Sequence, residues 1–166
     1  MNIDYLKQPI PVAHDFTYWE FIRSDMALRR GINNIPNKLQ LVNIERLARM
    51  VMQPIRNRFG AIRITSGYRC QELNKAIGST LSSLHVSGHA CDFEPVDNKI
   101  KLIDVIKWIV DNLEYRELIA EYFPHGWIHI AYSSVNSKKL KLKDKDHNYS
   151  KVTIEELMGI YGESEG

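Results

Sequence analysis

Apolar residues recur at three- and four-residue steps over 38–59: Leu41, Ile44, Leu47, Ala48, Val51, Met52 and Ile55. A stripe of that period is the buried face of an amphipathic helix. Pro54 lies inside it and predicts a kink or a division. Arg46, Arg49, Arg56 and Arg58 fall outside the stripe and read as a solvated face. A second stripe runs over 98–113 through Leu102, Ile103, Val105, Ile106, Ile109 and Val110. Thr17, with Glu20 three residues on, has the spacing of a capping box and starts a predicted helix to about Leu28. The cluster over 31–37 reads as a turn, with Asn37 as the cap of the long helix. A short helix is predicted over 71–77.

Alternation replaces the helical period elsewhere. Residues 61–65, the stretch ending at Glu94 and Pro95, 116–123 and 126–132 read as strands, the last two joined by Pro124-His125-Gly126. Helices early and strands late indicate an α+β fold, with helices packed on a small antiparallel sheet in a single domain. Residues 1–15, with two prolines, read as an extended arm, 16–135 as the main domain, and 136–166 as a lysine-rich tail with a short helix near 153–160.

Composition narrows the picture. The chain has 166 residues, enough for one domain with a core of its own. Hydrophobic content of 44% and charged content of 25% are those of an ordinary globular domain. A formal net charge of +2 gives no argument for nucleic acid, and no apolar run approaches a membrane span. The first nine residues show no basic region followed by an apolar stretch, so no secretory signal is expected. Cys70 and Cys91 are too few for a disulfide scaffold and read as reduced thiols of a protein made in the cytosol.

Candidate chemistry gathers in 83–92, Ser-Leu-His-Val-Ser-Gly-His-Ala-Cys-Asp. His85 and Asp92 are metal-ligand types. Their offset puts them about 10 Å apart along a straight helix, and on opposite faces of a flat strand. Sharing one ion therefore requires a turn between them, and Gly88 permits one. Beyond the turn, Ala90, Asp92 and Glu94 share a strand face, whereas His89 and Cys91 take the other; Cys91 reads as a core thiol. His129, alternating with Ile128 and Ile130, is the candidate third ligand. Two imidazoles and one carboxylate leave an open fourth position, as in catalytic zinc sites.

The string Ser-x-His-x-x-Gly-x-Ala-x-Asp at 83–92, with Trp127-x-His129 downstream and Ser66-Gly67-Tyr68-Arg69 and Leu73-Asn74 upstream, resembles the M15 peptidases. These are zinc D-Ala-D-Ala carboxypeptidases and related phage and bacterial murein peptidases. The resemblance runs from about Phe16 to Tyr132 and does not cover the tail. It implies the fold of that family and one zinc ion held by His85, Asp92 and His129. It implies that Arg69 and Ser83 contact substrate, Arg69 through its planar fork. The implied substrate is a peptidoglycan stem peptide, cut by a carboxypeptidase or an endopeptidase, with a phage lytic role favoured.

The chain departs from the family at one point. Many members carry an acidic or histidine base two or three residues before the last ligand, where this chain has Gly126 and Trp127. Neither accepts a proton. Glu121 is the first alternative, matching a Glu found in the branch this chain most resembles; His125 is the second. The same departure leaves a competing reading, a non-catalytic zinc-stabilised module that binds the wall or a protein. Six lysines within 138–151 suggest that the tail attracts anionic wall polymers. A monomer is expected, acting on the wall after release or carried in a virion. His14 and His147 receive no role.

Overall fold

A computed structural model describes residues 3–165. Its centre is a six-stranded sheet in the order β3-β4-β6-β5-β7-β8. The strands are β3 (Ile62–Ser66), β4 (Ala90–Pro95), β5 (Glu117–Glu121), β6 (Trp127–Ala131), β7 (Lys139–Lys143) and β8 (Tyr149–Lys151). All neighbours are antiparallel except β5 and β7, which run parallel. The architecture is α+β, as the hydrophobic pattern predicts.

Alternation gives the sheet two unlike faces. Ile62, Ile64, Cys91, Phe93, Leu118, Ala120, Ile128 and Ile130 are buried in the main core, and Leu140 and Leu142 pack against it. Helices α4 (Lys38–Leu47), α5 (Gln53–Phe59) and α7 (Leu102–Asn112) supply the other half of that core. The opposite face carries Asp92, His129, Glu117, Ile119, Glu121 and the odd-numbered lysines of β7, all lining one cleft.

The long apolar stripe is not one helix. Between α4 and α5 the backbone takes a π-helical turn, Ala48–Met52. Pro54 then sits in the first turn of α5, where a missing N–H costs nothing. The wider turn is how the chain divides at Pro54 while Val51, Met52 and Ile55 stay fully buried. Asn37 caps α4 in a capping box with Gln40.

Three expectations need correction. The N-terminal segment is not an extended arm: residues 3–15 hold α1 (Ile3–Leu6), β1 (Pro9–Ile10) and the start of β2 (Ala13–Thr17), and Leu6, Ile10 and Ala13 are fully buried. The period there is too short to register as a helix or strand, but three apolar side chains fix the segment to the core. The helix from Thr17 ends at Ile22 as α2, and Ser24 caps a separate α3 (Asp25–Arg30); the Thr17–Glu20 capping box is present. The lysine-rich segment is no loose tail. β7 and β8 extend the sheet, and α8 (Ile154–Glu165) buries Leu157 in the core. Alternation of Lys with Leu in 139–143 is the strand signal that the charge count conceals.

Candidate metal centre and substrate cleft

Asp92 on β4 and His129 on β6 are register partners on the cleft face. His85 reaches them from the turn before β4. Gly88 makes that turn at φ +75°, and a Cβ there would lie 2.7 Å from the Gln40 carbonyl oxygen. Both the backbone angle and the close approach exclude a side chain. The turn is pinned to α4, since Gln40 Nε2 donates to the Val86 carbonyl at 3.0 Å and Asn43 Nδ2 to that of Ser87 at 2.9 Å.

Three donor atoms converge. His85 Nε2 lies 3.2 Å from His129 Nδ1 and 3.3 Å from Asp92 Oδ1, and His129 Nδ1 lies 2.8 Å from Asp92 Oδ1. Zinc bonds of about 2.0–2.1 Å at tetrahedral angles space ligand atoms roughly 3.3 Å apart. The set therefore fits one tetrahedral ion at three corners. His85 Nδ1 lies 2.7 Å from the Gly67 carbonyl oxygen. That acceptor fixes the proton on Nδ1 and frees Nε2 for the metal. His85, Asp92 and His129 are all buried.

Electrostatics follow the same geometry. Burial pushes the His85 pKa below its usual value, against the pull of Asp92. Burial alone would raise the Asp92 carboxyl, but the charges and hydrogen bonds of His85 and His129 hold it well below the usual carboxylate range. Neutral imidazole and ionised carboxylate are the metal-binding forms.

The cleft around these donors measures about 810 Å³. Arg69 and Ser83 line it. Arg69 Nη1 donates to Ser66 Oγ at 2.9 Å and lies 3.9 Å from Asp92 Oδ2, while its buried Nε has no partner. Burial lowers the Arg69 pKa, with Asp92 and Glu121 opposing. An arginine held by one branch with a donor to spare is placed to receive a carbonyl or carboxylate.

Glu121 lines the cleft, directly opposite Trp127 and diagonal to His129 on β6. His125 does not join it: the 122–126 turn leaves that side chain exposed, away from the cleft. The same turn explains the departure at Gly126. A Cβ there would lie 1.9 Å from the Glu121 carbonyl oxygen, so the backbone path excludes any side chain, acidic or not.

A family model described as Peptidase M15 matches residues 14–131. The chain belongs to that family. No curated protein matches it. M15 peptidases are metallopeptidases, typically zinc-dependent, and the donor set of this M15 chain suits that metal. The match stops before β7, yet Lys139, Lys141, Lys143, His147 and Tyr149 line the same cleft. The sequence reading passed over His147, whose Nδ1 lies 2.7 Å from the Tyr122 hydroxyl. It also missed buried Asn34, which donates to the Ile22 and Tyr68 carbonyls and accepts from the Cys70 amide, shaping the approach to Arg69. Asn43 inside the apolar stripe beside Ile44 is a signal of such an anchor, whereas Asn34, within the polar turn cluster, leaves none.

Proposed function

We propose that this chain is a zinc-dependent peptidase that hydrolyses peptidoglycan stem peptides, as a D-Ala-D-Ala carboxypeptidase or an endopeptidase. The observation that carries the reading is the convergence of His85, Asp92 and His129 in a cleft that Arg69, Ser83 and Glu121 also line. Zinc held there supplies an activated water and a Lewis acid for the scissile carbonyl. Arg69 grips the peptide through its spare donors, and Ser83 adds a hydroxyl from the loop before His85. Glu121 takes the proton of the attacking water and returns it to the departing amine. A group in that role is typically worth about 10²–10⁴-fold in rate.

Glu121's place in the cleft favours catalysis over the non-catalytic binding module, because an acid–base carboxylate replaces the one excluded at Gly126. In this reading the enzyme works as a monomer at the wall, reached at lysis or from a virion. The test is release of stem-peptide products from purified sacculi and from a synthetic pentapeptide. It is run with and without chelator, and product analysis assigns the bond. Glu121→Gln should keep zinc and lose most hydrolysis, whereas His125→Ala should stay close to wild type. Chelator-insensitive cleavage, or a fully active Glu121→Gln, would overturn the assignment.

A further inference from the structure

The sheet continues past the family match into β7, and β7 meets β5 with a matching code. Glu117, Ile119 and Glu121 point into the cleft from β5, and Lys139, Lys141 and Lys143 from β7. The parallel register sets Glu121 directly opposite Lys143. Lys143 Nζ donates to Glu121 Oε2 at 2.9 Å, with side-chain exposures of only 16% and 9%. Lys141 pairs diagonally with Glu117, whose register partner is Lys139.

We propose that Lys143 is a positioning residue for Glu121: β7 delivers an ammonium that holds this carboxylate, in one orientation, on the cleft face beside the metal donors. The inference rests on the reading of Glu121 as the acid–base group.

Several observations separate this pair from an exposed surface ion pair, whose contribution is small. The pair is nearly out of water, so removing the lysine leaves a carboxylate buried without its partner. The ammonium is itself fixed, 5.2 Å from the Tyr122 ring centroid and 5.4 Å from that of Tyr149. Tyr122 is in turn held by His147. Burial pulls the Lys143 pKa down, but the hydrogen bond and charge of Glu121, with Tyr149, outweigh it and hold the pKa above the usual lysine value. The other charged or titratable groups of the cleft are Arg69 from the loop before α6 (Gln71–Ala76), the donors His85, Asp92 and His129, Arg116, Lys139, the Glu117–Lys141 pair, Tyr122, Tyr149 and His147. None of these groups hydrogen-bonds the Glu121 carboxylate; among the described residues Lys143 does.

The experiment compares full-length Lys143→Met, Lys143→Arg and Glu121→Gln, each loaded with zinc, on a synthetic stem pentapeptide. Lys143→Met should lose about 10–100-fold in kcat, the range seen when a partner that orients a site group is removed. KM and zinc content should stay near wild type, the melting temperature should fall because Glu121 is left buried without its partner, and Lys143→Arg should recover most of the rate and of the stability. In parallel, NMR of isotope-labelled lysine follows the Lys143 ammonium in the wild type and in Glu121→Gln. Its pKa should fall toward that of ordinary lysines in the variant, and this readout holds whether or not the peptide is cut. An inactive Glu121→Gln beside a fully active Lys143→Met would overturn this inference alone. Full activity in both would overturn the acid–base reading and this inference with it. A Lys143 pKa unmoved by Glu121→Gln would overturn the pairing directly.

Discussion

At the scale of single residues, the metal donors are held by protein contacts rather than by their own preferences. His85 is oriented by the Gly67 carbonyl, so its Nε2 is preset for an ion. His85→Ala should lower zinc from one ion per chain to a small fraction, measured by elemental analysis at equal protein concentration. Arg69→Ala should leave zinc intact and weaken peptide use, and Lys should restore little, because an ammonium lacks the fork. Gly126→Ala should destabilise the chain by several kcal/mol, because a Cβ 1.9 Å from the Glu121 carbonyl forces the 122–126 turn to move. Chemical denaturation reads that loss, and the displaced Glu121 should cost activity as well. Proton linkage gives a pH prediction for the metal-free chain. The His85 pKa is lowered on folding by burial, so below about pH 6.5 the unfolded state takes up the proton first. Asp92, also lowered, adds a loss of the same sign below about pH 3.8, its unfolded value. Stability should therefore fall as pH drops, seen as a lower melting temperature at pH 5.5 than at pH 7.5. Zinc affinity should fall in the same direction as protons compete for the imidazoles.

At the scale of elements, what is legible in the sequence depends on whether period or charge dominates a segment. α7 and strands β3 to β6 follow apolar periodicity and emerge close to their predicted bounds. The turn at Gly88 follows from the impossible spacing of His85 and Asp92 on any straight element. The N-terminal segment is illegible because its elements span only a few residues each, and its anchors are three isolated apolar side chains. β7 is illegible for another reason. Its lysines look like a solvated run until the partner strand is known, and the glutamates that partner Lys141 and Lys143 lie on β5, more than twenty residues upstream. Truncation after Ser137 is accordingly predicted to uncover Leu118 and Ala120 and to remove the Glu121 partner. Sacculus binding and small-peptide hydrolysis should fall together, with a clear drop in melting temperature. A truncated chain that still cuts the small peptide at full rate would return the segment to the status of an appendage.

For the whole molecule, one helical layer backs the sheet and leaves the other face free for chemistry. The last helix, α8, is tied to that layer through Leu157. Zinc held by His85, Asp92 and His129 would link the turn at His85 to two neighbouring strands, and so should act as a staple on the native state. Metal-free protein should melt several degrees below the loaded form, measured by calorimetry before and after dialysis against chelator.

The position of β7 also sets a timetable. Strand order in space is not order of synthesis: β5 waits at the sheet edge until β7, made after β6, docks beside it. The carboxylate of Glu121 gains its ammonium only at that step. Domains emerge from the ribosome N-terminal part first, so a chain caught part-way already holds His85, Asp92 and His129 but not the Glu121–Lys143 pair. For a peptidase of this family, a cleft completed by the late-made strand is a delay written into connectivity itself.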